Sequence, residues 1–545
     1  MPGLALIART VWGAAGVAGL EARSGNGAVT GGRHDLAVLV CEGRIAAVVP
    51  AAEVASLRAD RVVDLGDATL LPGFVDAHVH LTSTGLALDG GGGADLRPVR
   101  SAAALLAAVR QTASGLEPGE LVWGHGYDES NFATAAPALP APAELAAAAG
   151  GRPVYLSRAC GHQGLATLDL LDHAGALEAA GSERDGAGRP TGVVRDDANH
   201  RARRHAFGAL PEPTIVAAQD RTLALAARRG ITCVHEMGGP GISSRRDFEL
   251  LLERCHRLPV EVVCYWGDLD LDFVATHKLA QIGGDLFLDG SLGAHTAALS
   301  TPYADQPETC GSLYHDAAAL TDLYVRATLA GVQVAVHAIG DVAIGQALRC
   351  ARRAARTVGT APFRALRHRV EHVELLGADG ADRMAELGLA AGVQPGFDAA
   401  WGGPDGLYQR RLGIRRAKSM NPFADLWRRG VPMGGSSDSN VTPMDPWHGI
   451  AAAVNHHRAS QRLGLPVALE LFTLGGRVLG RQERVSGRIR PGLRADLTAF
   501  PGDVLAADPR KLQCSEALFT LVNGTLAHGP AELAVESAIH LGDRA

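Results

Sequence analysis

LPGFVDAHVHLTSTG, Leu71 to Gly85, is the stretch on which the reading of the chain turns. An apolar run stops at Pro72-Gly73, resumes at Phe74-Val75, and then sets Asp76, His78 and His80 at every second position. Side chains two apart on a strand point to the same side, so one strand end would present both imidazoles to one space. Partners for such a pair must come from other strands.

Eight β-rich segments provide the frame: 73–80, 230–237, 260–266, 284–290, 331–338, 368–373, 388–395 and 431–438. Ala/Leu/Arg helical stretches separate several of them, the pattern of parallel strands joined by crossover helices. The alternation predicts an α/β chain with a (β/α)8 TIM-like barrel. The C-terminal strand ends of such a barrel share one mouth, where His337, His372 and Asp438 would join His78 and His80. Singly, each has an ordinary explanation: a hydrogen-bonded core histidine, a solvated strand end, an Asx turn. Together, four imidazoles and a carboxylate make a divalent-metal site, with zinc first by ligand type. Zinc there would lower the pKa of its water to roughly 7 and polarise a carbonyl under attack. Asp438 is the candidate to take that water's proton and hand it to a departing nitrogen.

The flanks read differently. Residues 1–70 and 483–545 are short strands punctuated by Gly and Pro, including a hairpin that turns at Glu42-Gly43. Both ends are expected to build one small β-sandwich domain beside a hydrolase barrel at 71–482. Residues 81–229 are far too long for a simple connection and read as an insertion subdomain covering the active site.

At 545 residues and 47% hydrophobic, the chain fits a soluble globular protein with more than one core. A net charge of -6 leaves no basic footprint for nucleic acid. The eight cysteines are scattered without a CxxC pair, which fits reduced thiols. Arg9 interrupts the apolar N-terminal run, and no run approaches the roughly 18 apolar residues of a membrane span. These features predict a cytoplasmic protein with no nucleic-acid or membrane partner; a homo-oligomer is compatible with them. No G-x-S-x-G elbow, Walker loop or dinucleotide fingerprint competes.

The chain resembles the amidohydrolase superfamily, specifically the amidohydrolase family 3 branch typified by YtcJ-like proteins and N-substituted formamide deformylase. Its carriers are LPGFVDAHVHL, WGHGYDESNF, RPVYLSRACGH, LFLDGSLGAHTAALSTPYAD, VAVHAIGDVAIGQAL, RVEHVELL, VQPGF and MGGSSDSNVTPMDPW. The resemblance implies metal-site roles for His78, His80, His337, His372 and Asp438, with Asp438 and His372 catalytic. It implies one or two divalent ions, zinc or else manganese, cobalt or iron. It also makes Trp123, Tyr127, Asp128 and His162 substrate-pocket candidates; for the two aromatics, packing under the insertion is the alternative.

Departures from the family pattern matter. Relatives often carry a metal-bridging lysine where this chain has Asp285, and its three lysines, Lys278, Lys418 and Lys511, lie elsewhere. Asp285, Asp289 or Glu236 is the candidate replacement, unless one ion suffices. Thr167 stands for a usual asparagine, and His295 for a frequent arginine. The expected activity is hydrolysis of a non-peptide C–N bond, in an amide, N-formyl or N-acyl group. Deamination of a heterocyclic amine is the alternative, and a non-catalytic barrel the third.

Overall fold

The computed structural model describes residues 3–13, 32–132 and 138–534, the side chains of 32–34 excepted. Its central strands are β1 (Phe74–Val79), β2 (Ile231–Gly238), β3 (Glu261–Trp266), β4 (Gln281–Phe287), β5 (Gln333–Ala338), β6 (Arg369–His372), β7 (Ala390–Val393) and β8 (Met433–Gly435). The first three form a parallel sheet in the order β3-β2-β1, and β4 to β8 form a second parallel sheet in sequence order. Backbone bonds join the end of β1 to the residues after β8: Asp438 N–H donates to the His78 carbonyl at 2.9 Å, and His80 N–H to the Ser439 carbonyl at 3.0 Å. Val79 and Ser439 form a parallel bridge at this seam. Between β3 and β4 there is no ladder, although a Cβ on Gly267 would lie only 2.8 Å from the Asp285 carbonyl.

β4 is irregular where it matters. Its register against β5 shifts between Gly283 and Phe287. Gly283 and Gly284 have φ of 91° and 83°, and a Cβ on Gly283 would sit 1.8 Å from the Ala335 carbonyl. Only glycine accepts both the left-handed backbone and that approach, and the bulge re-aims the next side chain, Asp285.

Amphipathic crossover helices pack against these strands. Ala317–Leu329 starts at Asp316, whose carboxylate accepts the N–H groups of Ala318 (2.7 Å) and Ala319 (2.8 Å). It buries Leu320, Leu323, Tyr324 and Ala327, the spacing of one helical face, into the main core. Each such leucine contributes about 1.5–3 kcal/mol by leaving water.

Both ends of the chain meet in one antiparallel-rich sheet, in the order Thr525–His528, Phe519–Val522, Leu497–Phe500, Thr69–Pro72, Gly3–Trp12, Gly32–Cys41, Arg44–Pro50, with Arg61–Asp64 also on Gly3–Trp12. These eight strands are hydrogen-bonded as one continuous sheet, and residues from its opposite ends, Ile45 and Val48 with Phe519 and Leu521, share one core. Gly3–Trp12 is long enough to pair with Gly32–Cys41 on one edge and with Arg61–Asp64 and Thr69–Pro72 on the other, which fuses the halves. Residues 81–229 carry a six-stranded sheet of their own, built around Val122–Tyr127 and Val154–Arg158. Among the described residues no helix is long and apolar enough to cross a membrane.

Candidate metal centre

Histidines from β1, β5 and β6 meet around the Asp285 carboxylate. Its Oδ1 lies 3.4 Å from His78 Nε2, 3.6 Å from His337 Nδ1 and 3.9 Å from His372 Nε2; its Oδ2 lies 3.2 Å from His80 Nε2. Asp438 completes the group from the seam, with Oδ1 3.0 Å from His80 Nε2 and 3.6 Å from His78 Nε2. His372 and Asp438 both take left-handed backbone, φ 70° and 52°, where their strands turn out of the sheet. Residues other than glycine hold that conformation only when their surroundings impose it.

Each imidazole is fixed through its other nitrogen. His78 Nδ1 meets Glu371 Oε2 at 3.1 Å, His80 Nδ1 the Met237 carbonyl at 3.2 Å, His372 Nδ1 Gln394 Oε1 at 2.9 Å, and His337 Nε2 the Gly290 carbonyl at 3.2 Å. All four partners are acceptors, so the anchored nitrogens carry the protons. The free nitrogens turn their lone pairs inward, the arrangement that orients metal-ligating histidines.

The inward atoms have nothing to bond. His78 Nε2, His337 Nδ1, His372 Nε2, Asp285 Oδ1 and Asp438 Oδ1 are buried and without a hydrogen-bond partner. A buried polar atom left unpaired costs about 1–3 kcal/mol, so such a convergence fits a place shaped for a cation. The nitrogen and carboxylate donors suit a divalent ion. Two triads meet the spacing, His78/His80/Asp438 and His78/Asp285/His372.

With only protons to balance the charge, the cluster titrates abnormally. Burial opposes charge on His78, yet the nearby Asp285 and Asp438 carboxylates raise it well above its ordinary value; against the same opposition, the same two carboxylates raise His80 to about 9. Burial alone would raise Asp285, but His78 and the other histidines hold it well below the carboxylate range.

Beneath His78 lies a fully buried ion pair. Arg369 Nε and Nη2 donate to the two Glu371 oxygens at 2.7 and 2.8 Å, and Arg369 also bonds Tyr265 Oη (2.8 Å), His235 Nδ1 (2.9 Å) and the Ala77 carbonyl (2.8 Å). Neither Arg369 nor Glu371 was visible as a site residue in the sequence; nor was Gln394 or Glu374. Glu374 lines the cavity above the centre and accepts the Tyr408 hydroxyl at 2.5 Å, while burial pushes it up to about 7.

The cavity has His80, Asp285, His337, His372 and Asp438 in its wall, and the inserted segment adds Trp123, Asp128, Arg158, His162 and Arg203. The His162 ring sits 5.0 Å from that of His337. Asp128 accepts from Arg158 at 2.6 Å. Tyr127 is corrected: it is fully buried in the insertion's own hydrophobic cluster, its hydroxyl bonded by Gln163 Nε2 at 3.3 Å. The register slips between His125 and Tyr127 at Gly126, φ 89°, which breaks the alternation with Trp123.

Two of the three candidate bridging carboxylates are also corrected. Glu236 Oε2 accepts the Leu81 N–H at 2.8 Å, at the start of helix Leu81–Ala87. Asp289 accepts the N–H groups of Ile339, Gly340 and Ala298 at 2.8–3.0 Å. Both are occupied with backbone, Asp289 also lying 3.8 Å from His337 Nε2; Asp285 alone of the three faces all four histidines.

The family described as "Amidohydrolase family" matches residues 61–528. The putative amidohydrolase YtcJ of Bacillus subtilis (strain 168) is 29% identical over 509 residues, covering 86% of this chain and 90% of that one. The N-substituted formamide deformylase of Arthrobacter pascens is 25% identical over 529 residues, covering 90% and 94%. Among solved structures, an uncharacterized metal-dependent hydrolase from Pyrococcus furiosus superposes with a TM-score of 0.70 at 27% identity, covering 92% of this chain and all of that one.

Proposed function

The chain belongs to the amidohydrolase family, and on that premise we propose that it is a metal-dependent hydrolase cleaving a non-peptide C–N bond, in an amide, N-formyl or N-acyl group, of a small molecule. The observation that carries this is the set of buried, unpartnered atoms of His78, His337, His372, Asp285 and Asp438 aimed at one point. The family and the Pyrococcus structure imply a TIM-barrel hydrolase fold. In our reading the parallel strands close as a (β/α)8 barrel at 71–482, residues 1–70 and 483–545 form the small β domain, and 81–229 cover the mouth. The enzyme is cytoplasmic in the same reading.

A divalent ion at this point, zinc first, would supply Lewis acidity to the scissile carbonyl and a more acidic water. His78, His80, His337 and His372 would hold it with their free nitrogens. Asp285, with one oxygen toward His80 and the other toward His78, His337 and His372, would add a carboxylate to the donor set in place of the lysine that relatives often carry. Asp438, beside His80, takes the proton of the attacking water and returns it to the departing nitrogen. His162, whose imidazole burial holds well below its ordinary pKa, stays neutral and offers the substrate a hydrogen bond. Trp123 and Asp128 shape the outer wall.

The test is metal analysis joined to a panel of N-formyl, N-acetyl and cyclic amides, each with and without chelator. Activity that follows metal content and releases a carboxylate with an amine is the expected result. Full turnover by metal-free protein would overturn the mechanism, and ammonia release from heterocyclic amines alone would move the chain to the deaminase class.

A further inference from the structure

Arg203 lines the same cavity without an acidic partner. It lies on helix Asp196–Gly208, half-buried, and its contacts are to neutral oxygens: Nε to Tyr155 Oη at 3.3 Å, Nη1 to the Gly241 carbonyl at 3.3 Å, and Nη2 to the Gly161 carbonyl. A guanidinium has five N–H groups, so these contacts leave donors over. Among the described residues no carboxylate lies within ion-pair distance of Arg203. The other guanidinium in the wall, Arg158, is neutralised by Asp128 at 2.6 Å and Glu129 at 3.0 Å.

The acids of the cavity are accounted for elsewhere. Asp285 and Asp438 face the histidines, Glu374 holds the Tyr408 hydroxyl, and Asp128 holds Arg158. A partly desolvated cation with no counter-charge is costly unless a ligand provides one. Arg203 is also held in place before any ligand arrives. Buried Asn199, one turn earlier on the helix, accepts the Tyr155 hydroxyl at 2.9 Å and donates to the Gly161 carbonyl at 3.2 Å. Gly161, which Arg203 contacts, directly precedes His162, whose ring is 5.0 Å from that of His337, and Arg203 lines the same cavity as His80, His337 and His372.

We infer that the substrate is an amide that carries a carboxylate, and that Arg203 binds that carboxylate on the insertion side of the cavity. A single guanidinium with no second free cation beside it matches one planar, singly charged group, which favours a carboxylate over a phosphate. This inference rests on the hydrolase reading above for the word amide. The anion site itself does not depend on turnover.

The experiment separates the two. Levulinate and 5-methyl-2-hexanone are ketone analogues of N-acetylglycine and N-isobutylacetamide, differ chiefly in the carboxylate, and cannot be hydrolysed. Calorimetry on zinc-loaded protein is expected to show levulinate bound about 10- to 100-fold tighter, the range of a charge-assisted hydrogen-bond pair. Arg203→Gln removes most of that preference and Arg203→Lys restores part of it; a role limited to tethering Gly161 and Gly241 would not discriminate between the two ketones. Equal binding of the pair, or a preference unchanged in Arg203→Gln, overturns the inference. Turnover of the two amides is measured alongside. A preference present in the unaltered protein and lost in Arg203→Gln, with no turnover of any amide of the panel above, keeps the carboxylate site and sinks the hydrolase reading; turnover of both amides at equal kcat/KM with no binding preference does the reverse.

Discussion

Replacing Glu371 by Gln is the sharpest perturbation of the centre that leaves every atom around the ion in place. Glu371 and Arg369 are both fully buried, and Glu371 stays ionised because Arg369, outweighing burial, holds its carboxyl below the ordinary value. In Glu371→Gln the guanidinium keeps only neutral acceptors, namely Tyr265, His235 and the Ala77 carbonyl. Removing one partner of a buried pair costs about 3–5 kcal/mol. The same change weakens the acceptor on His78 Nδ1, 3.1 Å away, and losing such an outer partner lowers metal affinity about 10- to 100-fold. Two assays separate these effects: the urea midpoint of the chelated protein reads the ion pair, and zinc titration against a competing chelator reads the orientation of His78. The double variant Arg369→Met/Glu371→Leu is expected to regain most of the stability, since no charge is left buried, yet to remain weak in zinc. Glu371→Gln with under about 1 kcal/mol of destabilisation and an unchanged zinc affinity would refute both parts.

Zinc uptake should release at least one proton per chain at pH 7.5, because His80 titrates near 9 before the ion arrives. Calorimetry in two buffers of different ionisation enthalpy measures that proton, and affinity should climb with pH up to about 9. Asp438→Asn should retain bound metal while losing most turnover; an unchanged kcat removes Asp438 from proton transfer. Acid should destabilise the fold through His368, which burial pushes down to about 3 while its Nδ1 accepts the Val334 N–H at 2.9 Å. Because its folded pKa lies below the unfolded value near 6.5, its contribution is whole above pH 6.5 and is lost as pH falls toward 3, up to roughly 5 kcal/mol. In His368→Gln the pH dependence of the urea midpoint should flatten over that window, and an unaltered slope would dismiss the assignment.

The strands that carry the ligands were legible because short strand-like segments end at or near His78, His80, His337, His372 and Asp438, and their alternation with helical stretches predicted the parallel pairing. What could not be read was anything set by local backbone irregularity. The bulge at Gly283-Gly284 selects Asp285 over two other carboxylates, and the slip at Gly126 turns Tyr127 into the insertion's core. The supporting shell was equally hidden. Glu371, Arg369 and Gln394 sit in short strands or just past them, where a polar residue on the inner face looks like any other. Arg203 stood out by no motif, being one arginine among several on a polar helix.

Because the end of β1 is stitched to residues 438 and 439, a polypeptide leaving the ribosome N-terminus first carries His78 and His80 long before the geometry to hold an ion exists. Loading is therefore a late event in maturation, after the last central strand has been made and docked. Chains cut short before that point would offer only scattered histidines, so tight retention of a divalent ion would report that synthesis has passed residue 439.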